Sequence, residues 1–255
     1  MRFASLGSGS EGNGLLVECG ATRVLIDCGF SLSEAVSRLE RLGVAPDSVS
    51  AIVVTHEHSD HVSGVARLAA KYSIPVWLTF GTVTAAGERM AALPALRAFN
   101  GGETFAIGDL QFESIPVPHD AREPVQFVCS NGAAKLGVLT DLGRSTGQVE
   151  AKLSGCDALY LECNHDLQML ESGPYPWPLK QRIMGGFGHL DNASAAALLT
   201  RIDCSKLKHV VAAHLSQQNN TPALARAALA NALGCALEWI AVADQETGLA
   251  WRAIA

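Results

Sequence analysis

A dense run of histidines directly follows a short apolar segment. Residues 51–55 read Ala-Ile-Val-Val-Thr, and they lead into His56, His58, Asp60 and His61. Short apolar runs of this kind are typical of buried strands, but alternate side chains of a straight strand point to opposite faces. The run must therefore leave the strand as a tight loop that turns its side chains towards one point. Because only 8 of the 255 residues are histidine, three within one hexapeptide indicate a metal site rather than an ordinary polar loop.

The residue types in this loop restrict the metal. Imidazole and carboxylate without thiolate suit zinc, manganese or iron. A catalytic zinc with an open position usually takes three ligands from the protein, whereas this loop alone offers four. We therefore expect two divalent metal ions, with zinc, manganese and iron all compatible.

Three further candidate ligands stand at the ends of predicted strands. His119 follows a strand near residues 111–117, Asp141 follows one near 134–140, and His214 ends the apolar run 210–213. A hairpin at Asn131-Gly132 would return the chain to the same sheet edge, so His119 and Asp141 are expected to meet. A lone histidine at a strand end is usually a surface residue; three candidates in one setting favour function. His209 starts its strand and is assigned no role.

Strand and helix patterns alternate along the chain. An amphipathic helix is predicted near residues 32–42, and further helices are predicted near residues 62–72, 192–201 and 222–233, between short apolar strands. This order predicts an α/β fold with two packed sheets flanked by helices, and a site sheltered at the sheet edges. No low-complexity linker divides the chain, so we expect a single domain over residues 1–255.

Composition excludes several classes of protein. The chain is 48% hydrophobic and 17% charged, as in an ordinary globular enzyme. We find no signal-peptide pattern and no apolar run long enough for a membrane span. The seven cysteines are scattered and odd in number, which favours reduced thiols. We therefore expect a cytoplasmic protein without a membrane partner. A net charge of -6 limits any nucleic-acid contact to a local surface.

Together these residues resemble the metallo-β-lactamase-fold hydrolases. The similarity rests on Thr55-His56-x-His58-x-Asp60-His61 with Gly64, followed in order by His119, Asp141 and His214. It implies a four-layer αββα sandwich with two mixed sheets. It also implies that one ion is bound by His56, His58 and His119, the other by Asp60, His61 and His214, and both by Asp141. Asp27, at an early strand end, would orient ligands from behind; taken alone, it could be a turn residue.

A finer resemblance, to the ribonuclease Z group, concerns Glu162 and His189. The motifs are Leu161-Glu162 and Gly188-His189-Leu190-Asp191-Asn192. The resemblance implies that His189 lies near the scissile phosphate and that Glu162 supports it. A neighbouring carboxylate favours the protonated imidazole near neutral pH, so His189 could neutralise a phosphate oxygen or protonate the leaving alkoxide. Without the resemblance, these would be a polar strand end and a helix-start histidine.

Several other motifs are similar to the YycJ/WalJ-type bacterial subfamily, which is associated with 5′-to-3′ DNA exonuclease activity. They are Gly7-Ser8-Gly9-Ser10-x-Gly12-Asn13, Pro118-His119-Asp120-Ala121, Cys163-Asn164-His165-Asp166, Gly173-Pro174-Tyr175-Pro176 and His214-Leu215-Ser216-x-x-Asn219-Asn220. This resemblance makes His165 a candidate substrate-binding residue, beside its simpler interpretation as a helix-start histidine. The short spacing from His119 to Asp141 leaves no room for the arm with which ribonuclease Z enzymes hold transfer RNA.

These features predict a dinuclear-metal-dependent phosphodiester hydrolase, a DNA exonuclease that uses a metal-bridging hydroxide. Asp60 would orient the hydroxide, while Glu162 and His189 would assist the leaving oxygen. The alternative is a small-molecule hydrolase on the same metals, acting on a cyclic phosphodiester, lactone or thioester, for which the Glu162–His189 pair would be unnecessary. Antibiotic hydrolysis and a non-enzymatic binding role are less favoured. The native metal, DNA or RNA preference, polarity and oligomeric state stay open.

Overall fold

Two mixed β-sheets packed face to face form the centre of the computed structural model, which describes residues 1–254. The first sheet contains, in spatial order, β14 (Leu249–Ala253), β1 (Arg2–Gly7), β2 (Gly14–Cys19), β3 (Thr22–Ile26), β4 (Ala51–Val53), β5 (Val76–Thr79) and β6 (Leu96–Phe99). The second contains β13 (Ile240–Val242), β12 (His209–Ala213), β11 (Ala158–Glu162), β10 (Lys135–Leu139), β9 (Val125–Ser130), β8 (Leu110–Pro116) and β7 (Thr104–Ile107).

Helices cover the outer faces of both sheets. The α-helices are α1 (Leu32–Arg41), α2 (Ser59–Val62), α3 (Val65–Tyr72), α4 (Phe80–Ala86), α5 (Glu88–Ala91), α6 (Gly147–Leu153), α7 (Leu167–Ser172), α8 (Trp177–Met184), α9 (Asn192–Arg201) and α10 (Pro222–Leu233). Short 3-10 helices span Pro46–Ser48 and Leu237–Trp239. The predicted four-layer αββα sandwich is confirmed. None of these helices is long and apolar enough to cross a membrane.

Strands buried on both faces supply the core. Val53 of β4 and Val211 of β12 belong to the apolar cluster between the sheets. Their neighbours Ile52 and Val210 point the other way, into the clusters beneath the helices. All four side chains are inaccessible to solvent, and burying an aliphatic side chain of this size contributes about 1.5–3 kcal/mol. Period-2 alternation on apolar strands therefore holds all four layers together.

Strand direction places the loops that matter for function. In the first sheet β3, β4, β5 and β6 are parallel neighbours, and in the second β10, β11, β12 and β13 are. Carboxyl ends of parallel strands meet at one edge of a sheet. The loops after β3, β4, β10, β11 and β12 can therefore converge.

The prediction of a helix over residues 62–72 is wrong in its first turn. The chain forms the short α2, then breaks before α3 at Gly64, whose amide donates to the carbonyl of Cys28 over 2.9 Å. A Cβ atom at Gly64 would lie 2.0 Å from the carbonyl oxygen of Phe30, so only glycine fits this approach. The break turns α2, which carries Asp60 and His61, towards the sheet edge.

Candidate metal centre

The candidate centre lies where strands of both sheets end. Asp27 directly follows β3, Asp141 lies just after β10, and His214 directly follows β12. All three residues have a left-handed backbone, with φ of 61°, 52° and 55°. That conformation costs a non-glycine residue about 1–3 kcal/mol and is typical of functional sites. The chain thus turns sharply as it leaves each strand, which brings the three side chains across the sheet edge.

The structure brings His56, His58 and His119 together, with one ring nitrogen of each inside a group whose atoms lie within 4.8 Å of one another. Nδ1 of His119 lies 3.1 Å from the carbonyl oxygen of Gly188. Because a carbonyl only accepts hydrogen bonds, Nδ1 carries the proton and Nε2 keeps a lone pair. Nε2 of His119 lies 3.2 Å from Nδ1 of His58, so two nitrogens face the same point.

A second group contains Asp60, His61 and His214 within the same distance limit. Nε2 of His61 lies 3.3 Å from Asp60 Oδ2 and 3.0 Å from Asp141 Oδ2. Asp141 also joins His56 and His61 in a further group. Its carboxylate therefore lies between the two clusters, as the ligand of a shared site would.

Two buried nitrogens show that the donor set suits a metal. Nε2 of His56 and Nε2 of His214 have no hydrogen-bond partner among residues 1–254. Leaving a buried polar atom unpaired costs about 1–3 kcal/mol. A divalent cation accepts such lone pairs, and imidazole with carboxylate is a donor set that binds divalent metals. The arrangement therefore fits divalent-metal binding.

Asp27 and Thr55 fix the ring orientation of two histidines. Oδ1 of Asp27 accepts from the Thr55 amide over 2.8 Å, and Oδ2 accepts from Thr55 Oγ1 over 2.8 Å. Asp27 Oδ2 also accepts from Nδ1 of His61 over 2.9 Å. Since the Thr55 hydroxyl proton is used on Asp27, Nδ1 of His56, 2.9 Å away, must donate to that oxygen. Both histidines thereby direct Nε2 into the centre.

Glu162 binds two histidines at once. Its Oε1 lies 2.8 Å from Nδ1 of His189 and 3.2 Å from Nδ1 of His214. Its Oε2 accepts from the amides of Leu142 and Leu190 at 2.8 and 3.2 Å. The carboxylate is fully buried, and these four contacts hold it in one position. The predicted proximity of Glu162 and His189 is present, whereas the contact with His214 was not foreseen.

Charges inside the centre are strongly coupled. Burial, with His61 beside it, lowers the pKa of His56 well below its usual value. Burial also opposes the charged form of His214, but Asp141 and its neighbours outweigh it and raise the pKa of His214 to about 10. In the same way the carboxylates around His61, Asp141 first, raise its pKa well above the usual value despite burial. Protons on these histidines occupy the positions a cation would take, so metal binding and protonation compete.

Asn13 is a site residue that sequence reasoning did not single out. Its Nδ2 donates to Asp60 Oδ2 over 3.2 Å and lies 3.2 Å from Nε2 of His61. Its Oδ1 accepts from the amide of Gly9 over 3.0 Å. The glycine-rich segment 7–14 is therefore a turn that closes around Asn13. The backbone amide of Gly9 is hydrogen-bonded within this turn.

A cavity of about 370 Å³ opens onto the centre. The predicted residues on its wall are His58, Asp60, Asp141, His189 and His214. The remaining wall, to which the sequence assigned no catalytic role, includes Ser10, Ser59, Asp120, Tyr175, Leu179, Arg182, Ile183 and Gly188. Of these, Ser10, Asp120, Tyr175 and Gly188 belong to motifs that carry the family resemblance.

His165 does not reach this wall. It is 1% exposed, and its Nδ1 lies 3.3 Å from Oδ1 of Asn164, while Nε2 has no partner among the described residues. His209, to which the sequence assigned no role, starts β12, and its Nε2 donates to the carbonyl of Ala253 over 2.9 Å. The rim position predicted for His165 therefore receives no support from its burial.

Known proteins are similar to this chain in fold and in sequence. A family model described as "Beta-lactamase superfamily domain" matches residues 22–215. Exodeoxyribonuclease YycJ of Bacillus anthracis is 37% identical over 91% of this chain and 89% of its own. Exodeoxyribonuclease WalJ of Streptococcus pneumoniae is 34% identical over 91% of this chain and 88% of its own. The metallo-β-lactamase fold protein YhfI from Bacillus subtilis superposes with a TM-score of 0.75 at 14% identity, covering 99% of both chains. The chain therefore belongs to the metallo-β-lactamase superfamily, together with YycJ and WalJ.

Proposed function

We propose that this protein is a metal-dependent exonuclease that hydrolyses phosphodiester bonds of DNA. The observation that carries the proposal is the position of His189. Its ring lies 2.8 Å from the Glu162 carboxylate and lines the same cavity as His58 and Asp60. A histidine held by a buried carboxylate beside a metal centre suits protonation of a leaving alkoxide. Similarity to two exodeoxyribonucleases over 91% of the chain supports the same reaction.

The proposed centre holds two divalent ions. His56, His58 and His119 would bind one, Asp60, His61 and His214 the other, and Asp141 both, in agreement with the groups that their donor atoms form. When bound, such ions activate water as a nucleophile near neutral pH and offset charge on phosphate oxygens. Zinc, manganese and iron all accept these donors.

Residues around the ions would keep protons at defined atoms and fix the orientation of the ligand side chains. Asp27 and the Gly188 carbonyl keep protons on the Nδ1 atoms of His61 and His119. Nδ1 of His189 donates to Glu162, which leaves its Nε2 for a substrate oxygen. Burial lowers the pKa of His189, but the Glu162 carboxylate outweighs it and the pKa is raised. His189 would thus carry a proton for the leaving group near neutral pH. Asp60 would orient the attacking water.

A small-molecule hydrolase is the second candidate. The cavity volume of about 370 Å³ is within the range of small-ligand pockets. A cyclic phosphodiester, lactone or thioester would fit such a space. Turnover of these compounds without turnover of DNA would favour this candidate.

Two further statements about the protein stay predictions. One is that residues 1–255 form a single domain, and the other is that the protein acts in the cytoplasm.

The test begins with metal analysis of the purified protein and separate reconstitution with zinc and manganese. Each form is then assayed on end-labelled single- and double-stranded DNA beside bis-p-nitrophenyl phosphate. Asp60→Ala is the inactive variant, and Asp47→Ala, on an exposed 3-10 helix, is the matched control. Metal-dependent stepwise loss of nucleotides from an end, absent only in Asp60→Ala, is expected. Cleavage of the small diester alone would contradict the exonuclease proposal.

A further inference from the structure

Four of the five histidines proposed as metal ligands are held by a buried partner on the ring nitrogen that faces away from the centre. The partners, at 2.9–3.2 Å, are Thr55 for His56, Asp27 for His61, the Gly188 carbonyl for His119 and Glu162 for His214. Such partners fix the tautomer and the orientation of a histidine ligand. The fifth histidine, His58, has a side chain that is 28% exposed, so its orientation depends on a group at the surface of the site.

The outer nitrogen of His58 faces Asp120. Nδ1 of His58 lies 3.2 Å from Nε2 of His119, so Nδ1 points into the centre and Nε2 points away from it. Oδ1 of Asp120 lies 3.7 Å from Nε2 of His58 and 3.5 Å from Nε2 of His119. These are ion-pair distances rather than hydrogen-bond distances. An ion on Nδ1 withdraws electrons from the ring and makes the Nε2 proton a stronger donor, which strengthens its attraction to the carboxylate.

The backbone that carries Asp120 is fixed on both sides. The Asp120 amide donates to the carbonyl of Phe187 over 3.1 Å, and the Arg122 amide donates to Oε1 of Glu57 over 2.7 Å. Glu57 directly precedes His58 in the chain. The loop of Asp120 is therefore attached to the histidine run itself, and the two side chains face each other from a common frame.

Arg182 determines how the Asp120 carboxylate is turned. Nε of Arg182 donates to Oδ2 of Asp120 over 2.6 Å, which leaves Oδ1 on the side of the histidines. The Asp120 side chain is 31% exposed and lines the cavity. Interactions of partly exposed charges are weaker than those of buried ones. Asp120 is therefore a weaker partner than the buried groups behind the other four histidines.

The two proposed ligand groups differ in charge. One contains neutral side chains alone, and we call it the imidazole group: His56, His58 and His119. The other contains the carboxylate of Asp60, and Asp141 is shared. A carboxylate close to a cation stabilises it electrostatically. Asp120 places a negative charge on the side of the imidazole group, where the ligands themselves supply none.

We propose that Asp120 is the positioning residue for the ion of the imidazole group. Its carboxylate holds the outer nitrogen of His58 and adds a negative charge beside neutral ligands, while Arg182 keeps it turned towards them. This inference rests on the two-ion centre proposed above and does not depend on the substrate. Changing a residue behind a metal ligand usually lowers metal affinity about 10- to 100-fold. Because Asp120 is partly exposed, we expect a loss of about 10-fold, at the lower end of that range.

The test resolves the two ions and the individual histidines. Zinc-loaded protein is titrated with chromophoric chelators, which yields a Kd for each ion. The histidines are labelled with ¹⁵N, so that NMR reports on each ring nitrogen. Asp120→Asn removes the charge and nearly keeps the shape of the side chain. Asp47→Asn, on an exposed 3-10 helix, is the matched control.

Asp120→Asn should raise one Kd about 10-fold and leave the other unchanged. The raised Kd should belong to the ion whose release alters the His58 resonances. At saturating zinc the Nε2 resonance of His58 should move, because its carboxylate partner is gone, while the resonances of His61 and His214 stay in place. Asp47→Asn should match wild type in every measurement.

Three results would show that Asp120 does not position His58. The first is two unchanged Kd values, and the second is an unmoved His58 resonance at saturating zinc. The third is an equal rise of both Kd values with a lower Tm, which indicates a general structural defect. In all three cases wild type still binds two zinc ions, so the proposed centre stands. If wild type binds fewer than two, the two-ion centre is wrong and this inference fails with it.

Discussion

Replacing Asp27 by asparagine should weaken metal binding without disturbing the backbone. Asp27 Oδ2 accepts hydrogen bonds from Thr55 Oγ1 and His61 Nδ1 at 2.8 and 2.9 Å, while Oδ1 accepts from the Thr55 amide. Asparagine keeps one acceptor oxygen and replaces the other by an NH2 donor. If the oxygen stays on the Thr55 amide, the NH2 group faces two donors.

The effect on His61 determines how much metal affinity Asp27→Asn should lose. Without an acceptor at Nδ1, the tautomer with its proton on Nε2 becomes competitive, and this tautomer has no lone pair towards Asp60 and Asp141. A hydrogen bond to a charged group contributes about 1.5–3 kcal/mol, which corresponds to roughly 10- to 100-fold in affinity. Losses of this size are usual when a residue behind a metal ligand is changed. We therefore expect the affinity for the more weakly held ion to fall about 10- to 100-fold.

The assay is competition for zinc between the protein and a chromophoric chelator, with Tm measured in parallel. Asparagine is among the residues that best tolerate a positive φ, and φ at Asp27 is 61°, so Asp27→Asn should fold normally. Asp27→Ala lacks this tolerance and should lose stability as well as affinity. Wild-type zinc affinity in Asp27→Asn would refute the role of this carboxylate in fixing His61.

Three other changes test the remaining parts of the site. His189→Ala should lower turnover on DNA about 10²- to 10⁴-fold and affect metal content far less. Glu162→Gln should lower both turnover and metal content, because Glu162 also contacts His214. Full turnover in metal-replete His189→Ala would exclude the proton-transfer role. Gly29→Ala should prevent metal binding, since its Cβ would lie 1.7 Å from the Asp60 carbonyl oxygen. The control Gly147→Ala should bind metal normally, because Gly147 lies in open space at the start of α6. Elemental analysis that finds equal metal in both variants would contradict this prediction. Chelation should lower Tm by about 8–16 °C, because a ligand at 1,000 times its Kd stabilises by about 4 kcal/mol and each kcal/mol shifts Tm by about 2–4 °C; an unchanged Tm would argue against a tightly held ion.

The sequence was informative where chemistry and secondary structure coincide. The histidine run follows an apolar strand, and the later candidates His119, Asp141 and His214 also follow strands, so their meeting at one edge was predictable. The hairpin predicted at Asn131-Gly132 is confirmed by antiparallel β9 and β10. Its loop spans residues 131–134, because the Asn131 side chain accepts from the amides of Ala133 and Ala134.

Contacts between residues far apart in sequence were not predictable. Asn13 reaches Asp60 and His61 from the first hairpin, and its only signal was its place in a glycine-rich motif. Arg182 pairs with Asp120 across 62 residues, and neither residue belongs to a pattern that announces the other. The short strands β6 and β7 also escaped prediction, because four residues carry too little periodicity to separate a strand from a loop.

Glu162 explains why the centre and the cavity wall should evolve differently. Its fully buried carboxylate holds His189 with one oxygen, and the same oxygen contacts His214, while two backbone amides occupy the other. Moving the histidine that faces the leaving group would therefore also move a proposed metal ligand. Such a shared anchor makes the centre intolerant of change and fixes it for one kind of chemistry. Helix α8 is coupled to the same histidine, because the carbonyl of Ile183 accepts from the His189 amide over 2.9 Å. Substrate choice can therefore change at α8 side chains that only line the cavity, such as Leu179, while the backbone of the helix must stay in place.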